Sequence, residues 1–173
     1  MRRTSLVIVT ALALCLLCAS AFAASPQKPP VSIPGVDAAG LYKYLEGQKG
    51  KVVVLNMFAS WCPPCRKEVP RLVNIRKDLK EEDVHIFGVA VHDQPRALAN
   101  YMSEMHINYP VFMGERYITQ EFSPLNKKTG DPVEVSAVPM LLIFNKKGEL
   151  VSSDVGLLDE EAMKKSILAI GAQ

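Results

Sequence analysis

The sequence predicts a layered α/β domain, and three observations carry that reading. Two strand-length apolar runs, residues 52–58 and 84–91, are bounded by turn residues. Each is followed by a stretch with helical spacing of apolar residues. A closing pair of short strands, 140–144 and 149–155, flanks Asn145-Lys146-Lys147-Gly148 and leads into a last amphipathic stretch. Helices between strands, with a hairpin at the end, give a central mixed sheet covered on its faces. At 173 residues the length fits one domain once its front end is set aside.

The elements follow in order. Residues 25–32, rich in proline, read as an extended spacer, with the extended N-terminal segment running over 24–36. Asp37 caps a short helix over 37–46 that places Leu41, Tyr44 and Leu45 on one face. Gly47-Gln48-Lys49-Gly50 turns into the strand at 52–58. Residues 66–80 form a helix with Val69, Leu72, Val73, Ile75 and Leu79 inward and a kink expected at Pro70. The strand at 84–91 precedes a helix over 94–105 with Leu98, Tyr101 and Met102 inward. A short strand at 109–113 and one or two helical turns at 116–122 follow. Residues 123–134, polar and marked by Pro124, Gly130 and Pro132, read as an exposed loop. Asp159 caps the last helix, whose inward residues include Met163, Ile167 and Ile170. The domain proper is therefore 37–173.

The first 23 residues read as a processing segment. Arg2 and Arg3 start it, residues 6–18 are apolar, and Ala21-Phe22-Ala23 supplies a small-x-small cleavage signal. An uncleaved membrane anchor over 6–23 is the alternative reading. Leu14 and Leu17 stand where a lipoprotein signal needs a small residue before Cys15 or Cys18. Either reading places the domain in the periplasm or another extracytoplasmic space. Cleavage removes Cys15 and Cys18 and leaves Cys62 and Cys65 alone. A single close pair in an exported chain is a poor staple and a good redox pair. Cleavage also leaves 18 basic against 18 acidic residues. A neutral domain lacks the basic patch that nucleic-acid binding needs.

Trp61-Cys62-Pro63-Pro64-Cys65 stands at a strand-to-helix junction. Cysteines three apart there can close a small ring. The first lies where free helix N–H groups and the positive dipole end stabilise a thiolate. Cys62 is then the attacking thiolate and Cys65, one turn inward, the resolving thiol. Pro63 and Pro64 each remove an N–H that would otherwise face the Cys62 sulfur. Fewer donors stabilise the thiolate less, which favours a reductant over a strong oxidant. With no second cysteine pair in the domain, a structural zinc site is disfavoured.

The run from Asn56 to Pro70, together with the Val138-Pro139 pair ahead of the closing hairpin and the strand-plus-helix insert after Val91, resembles the exported TlpA/ResA family of thioredoxin-like thiol–disulfide oxidoreductases. The resemblance covers most of the chain from about Lys28. It implies a thioredoxin fold and an enzyme that exchanges dithiols and disulfides with no cofactor beyond its own redox-active disulfide. Within the motif it implies that Glu68 exchanges protons with the buried cysteine, making Cys62, Cys65 and Glu68 the catalytic set. An ordinary solvated helix glutamate is the bland alternative for Glu68, given Arg66 and Lys67 beside it. Asn56 stands where thioredoxin carries an acid, so another base must serve the resolving thiol. Pro139 is expected to be cis, with the Val138 backbone pairing with an extended substrate segment. Trp61, Pro63, Pro64, Val138 and Pro139 form the expected substrate-binding surface, Trp61 as an apolar wall over the thiols unless it is simply core. Ala137 and Met140 flank the Val138-Pro139 pair where the family has glycine and threonine, which suggests a bulkier pocket.

The resemblance also implies protein partners. These are disulfides of envelope proteins such as apocytochrome c, with electrons from a membrane thiol transporter. A monomer is expected. A net oxidant that introduces disulfides is the second reading, weakened by the absence of a large helical insertion. A copper carrier using Cys62, Cys65 and a histidine is the third, since thiolates suit Cu(I). His85, His92 and His106 are dispersed, however, and read better as structural or surface residues, so no metal site is assigned. The loop 123–134, leading into Val138-Pro139, is expected to select the partner.

Overall fold

The computed structural model describes residues 32–156 and 159–172, so the expected leader and most of the proline-rich spacer lie outside the described residues. Six strands form one mixed sheet: β1 (Gly35–Val36), β2 (Val52–Phe58), β3 (Val84–Ala90), β4 (Val111–Gly114), β5 (Met140–Phe144) and β6 (Leu150–Val155). Five helices accompany them: α1 (Ala38–Glu46), α2 (Cys65–Asp78), α3 (Pro95–Glu104), α4 (Ile118–Glu121) and α5 (Glu160–Gly171). The strand order is β1-β4-β3-β2-β5-β6. Strands β1, β4, β3 and β2 run parallel, and β5 and β6 are antiparallel to their neighbours.

The central strands β2 and β3 are buried at every position, which is why their sequence is continuously apolar instead of alternating. Alternate residues nevertheless serve different cores. Val52, Val54 and Phe58 face a core built with α2, α3 and α5, through Val69, Leu72, Leu98, Tyr101 and Ile167. Val53, Leu55 and Met57 face a second core with Leu41 and Leu45 of α1 and Ile118 of α4. Asn56, in register with Gly88 of β3, is the polar exception on the first face and is fully buried.

Helix starts follow their caps. The Asp37 carboxylate accepts from the Gly40 N–H at 2.7 Å and opens α1. Asp159 accepts from Glu161 and Ala162 and opens α5. Helix α2 begins at Cys65 with Pro64 before it and no side-chain cap, and it continues through Pro70 to Asp78. Two features depart from the sequence expectation. The segment 24–36 ends in a two-residue strand, β1, paired with Met113 and Gly114. The loop 123–134 is largely exposed, as expected, but it is tied down away from Val138-Pro139. Leu125 bridges to Pro132, Asn126 bridges to Leu150, and the Lys127 N–H donates to the Leu150 carbonyl at 2.7 Å. Lys127 also pairs with Glu149 at 2.9 Å. These contacts hold the loop at the Leu150 end of β6, whereas Val138-Pro139 adjoins the opposite end, where Met140 pairs with Val155 and Met57.

Candidate active site

The site grows out of the end of β2. After Phe58 the chain turns through residues 59–64, with the Cys62 N–H donating to the Ala59 carbonyl at 3.2 Å, and enters α2 at Cys65. Cys62 and Cys65 are joined as a disulfide with Cα atoms 5.3 Å apart. Both sulfur-bearing residues are shielded, Cys62 at 3% exposure and Cys65 at 0%. The Cys65 N–H points at Cys62 Sγ from 3.3 Å. Pro63 and Pro64, both exposed, bring no N–H to that sulfur.

The neighbouring loop after β3 fixes this turn. Asp93 accepts from the Ser60 N–H and the Ser60 hydroxyl, both at 2.6 Å, and from the Gln94 N–H at 2.8 Å. The Trp61 indole N–H donates to the His92 carbonyl at 3.0 Å. Trp61 is 59% exposed, so it is surface beside the cysteines and not core. From the other side comes the cis Val138–Pro139 bond. The Val138 carbonyl oxygen lies 3.6 Å from Cys62 Sγ, and Pro139 is buried. Met140 packs into the second core with Met57, on the α1 face of the sheet. Its size therefore does not narrow the Cys62 side, contrary to the expectation from the motif.

Glu68 is fully buried, one helical turn beyond Cys65, while its neighbours Arg66 and Lys67 are exposed. The solvated-glutamate reading does not hold. Around Glu68 the first core carries more polar groups than the sequence indicated. Tyr101 of α3 stacks on Phe58 with ring centroids 5.8 Å apart, and the Arg66 guanidinium sits 5.2 Å over its ring. Burial pushes the Tyr101 hydroxyl up to about 12; Arg66 opposes this, and Glu104, Glu68 and Asp93 add to it. Tyr109, just before β4, is driven higher by burial, with Asn56 opposing and Tyr101 and Glu68 adding. Gly88 makes room for this arrangement: a Cβ there would lie 2.8 Å from the Phe58 ring and 3.4 Å from the Tyr109 ring.

Asp93, Tyr101 and Tyr109 were not singled out for the site from the sequence. Asp93 two residues before Pro95 looks like an ordinary cap, and Tyr101 like a core residue at helical spacing. His85 stands apart from the disulfide. Its Nε2 meets the Tyr44 hydroxyl at 2.9 Å and its Nδ1 meets Glu81 at 2.6 Å. Burial, with Lys51 and Arg76 nearby, lowers it to about 4, so the ring is neutral at pH 7. Among the described residues, no group of three or more His, Cys, Asp or Glu is placed to hold a metal ion. Nor is any helix among them long and apolar enough to cross a membrane.

Comparison with known proteins agrees with this geometry. A family model described as Redoxin matches residues 25–169. ResA of Bacillus subtilis, a thiol-disulfide oxidoreductase, is 31% identical over 124 residues, covering 72% of this chain and 64% of that protein. The thiol:disulfide interchange protein HelX of Rhodobacter capsulatus is 28% identical over 144 residues, covering 83% of this chain and 74% of its own length. A thioredoxin-family thiol:disulfide interchange protein from Chlorobium tepidum superposes with a TM-score of 0.62 at 26% identity, covering 84% of this chain and 99% of that one. A thiol-disulfide isomerase from Corynebacterium glutamicum shares the fold, with a TM-score of 0.60 at 20% identity, over 86% of this chain and 99% of that one. With a closed Cys62–Cys65 pair at the head of α2 and a thioredoxin-like sheet behind it, the chain belongs to the Redoxin family and is similar to the thiol–disulfide oxidoreductases ResA and HelX.

Proposed function

We propose that this domain works outside the cytoplasm as a reductant of protein disulfides, with Cys62 attacking and Cys65 resolving. The observation that carries the reading is the pairing of a poorly stabilised Cys62 with a buried acid. One backbone N–H faces Cys62 Sγ, both intervening residues are proline, and Glu68 is fully enclosed one turn beyond Cys65. In the reduced enzyme the Cys62 thiolate attacks one sulfur of a substrate disulfide. A mixed disulfide forms, and the first substrate thiolate leaves and takes up a proton. The Cys65 thiol passes its proton to Glu68 while its sulfur attacks Cys62 Sγ. That closes the Cys62–Cys65 bond and releases the second substrate thiolate. Two electrons pass from the enzyme dithiol to the substrate. An external dithiol restores the reduced form, the membrane thiol transporter implied by the family resemblance.

Substrate is held as an extended segment. The Val138 backbone beside Cys62 offers strand-like pairing, and Trp61, Pro63 and Pro64 form the exposed surface around it. Envelope proteins such as apocytochrome c are the substrate class, and the enzyme acts as a monomer without a bound cofactor.

Trapping tests the assignment of roles. Cys65→Ser is expected to accumulate mixed disulfides through Cys62, and Cys62→Ser to lose reduction of a model disulfide altogether. Partners trapped through any other residue would overturn the assignment. Glu68→Gln is expected to slow turnover near neutral pH and to move the thiol titration while the fold is kept. An unmoved titration would remove Glu68 from the mechanism.

A further inference from the structure

The pairing of β2 with β3 ends where the Val91 N–H donates to the Phe58 carbonyl at 2.9 Å. Beyond that bond the two strands stay tied, now through side chains. Both oxygens of the Asp93 carboxylate are turned to Ser60: Oδ2 accepts its backbone N–H and Oδ1 its hydroxyl, each at 2.6 Å. The next residue, Trp61, sends its indole N–H to the His92 carbonyl at 3.0 Å. Consecutive residues of one loop thus hold consecutive residues of the other. An acid just ahead of a helix usually caps it, but α3 has Gln94 at its N-cap position and no side-chain cap bond. Within its own loop Asp93 accepts only from the adjacent Gln94 N–H. His92 has a φ of 49°, a left-handed conformation uncommon outside glycine. That bend lies where the chain turns its His92 carbonyl and Asp93 carboxylate toward the segment before Cys62. Trp61 is 59% exposed, and an exposed side chain ordinarily keeps its rotamer freedom. This one is tied at its ring nitrogen and at the residue preceding it.

We propose that Asp93 and Ser60 are positioning residues for substrate: with the His92 carbonyl they hold Trp61 as a fixed wall beside Cys62, against which the polypeptide carrying the disulfide docks. The inference rests on the substrate surface proposed above and extends it to a loop outside the Trp61–Cys65 motif. A side chain whose rotamer is set before the substrate arrives loses no further freedom on binding, so preorganisation appears as affinity. Hydrogen bonds to a carboxylate are among the stronger ones, and here two donors of one residue share it. The clamp ends on Ser60 and Trp61 and not on a cysteine. Its larger effect therefore falls on KM for a polypeptide substrate, with a smaller one on the exchange step.

The test pairs insulin-reduction kinetics, with an external dithiol as electron donor, with fluorescence of the reduced protein. Trp61 is the only tryptophan in the chain, so its emission reports the wall directly. Asp93→Asn keeps the size of the side chain but leaves one acceptor oxygen for two Ser60 donors. Ser60→Ala removes the hydroxyl and keeps the N–H bond. Each should lower the steady-state anisotropy of Trp61 and raise KM for insulin about tenfold, with kcat falling by less than about threefold. The double variant should do no more than Asp93→Asn alone, because both substitutions break one linkage. Asp37→Ala removes the carboxylate that opens α1 on the other face of the sheet and should lower stability while moving neither readout. Folded Asp93→Asn and Ser60→Ala proteins with unchanged anisotropy and KM would make the clamp purely structural and end the inference. A fall confined to kcat would overturn it too, since the loop would then act on the exchange step. Neither result touches the roles of Cys62 and Cys65, which fail only if trapping by Cys65→Ser fails. Should Asp93→Asn not fold, Ser60→Ala decides the matter alone.

Discussion

At Cys62 the sulfur faces one backbone donor and a carbonyl, and that small inventory sets its chemistry. Cys62, Cys65 and Glu68 were legible in the sequence because their relation is local: three-residue spacing at a helix start puts all of them on adjoining turns. The cis Val138–Pro139 bond was foreseen from the motif as well. Asp93 was not, because its two hydrogen bonds with Ser60 cross from the β3–α3 loop to the turn after β2, and no spacing in the chain records that approach. Asp93→Ala removes the partner of the Ser60 N–H and hydroxyl. It is expected to cost about 1–3 kcal/mol of stability and to slow disulfide exchange as the Trp61-Cys62 turn loosens. Urea unfolding and turnover on a model disulfide check the two halves. A stability loss with unchanged turnover would confine Asp93 to a structural role.

Among the elements, the buried strands and the amphipathic helices announced themselves through period and caps, with ends off by one or two residues. The two-residue β1 is too short for any periodicity to show. The loop 123–134 was expected to be exposed and to select the partner, because it is polar and runs directly into Val138-Pro139. Its hydrogen bonds to Leu150 and its ion pair with Glu149 put it instead at the end of β6 away from Val138-Pro139. Shortening residues 127–131 is therefore expected to leave exchange with both small and protein disulfides unchanged while lowering the melting temperature by a few degrees. A selective loss on a protein substrate would restore the loop to recognition. The other element-scale device is the anchor of β3 to α1. A neutral His85 donates from Nδ1 to Glu81 and accepts the Tyr44 hydroxyl at Nε2. Its pKa falls from the ordinary 6.5 to about 4 in the fold. The unfolded chain thus binds more protons between those values. Stability is full above pH 6.5 and is lost as pH falls toward 4. Thermal melts of wild type and His85→Gln over that range should show a steeper loss in the wild type, and parallel curves would remove His85 as the source.

At the scale of the whole molecule, the parallel β1-β4-β3-β2 half and the antiparallel β5-β6 half meet at the disulfide. One half supplies the cysteines at the end of β2, and the other brings the Val138 carbonyl within 3.6 Å of Cys62. The layered α/β class was readable from the order of elements, and its thioredoxin form from the motif. The packing of Tyr101 and Tyr109 in one core with Phe58, Cys62 and Cys65 was not, because it depends on how α3 and the approach to β4 meet the sheet. The direction of electron flow is a property of the assembled site. It sums the few donors at Cys62, the enclosed acid and the shielding of both sulfurs. Equilibrating the purified domain against a graded glutathione or dithiol redox buffer measures it directly. A potential near or below about −270 mV is the result expected of a reductant, and one near about −120 mV, where a strong oxidant lies, would contradict the account.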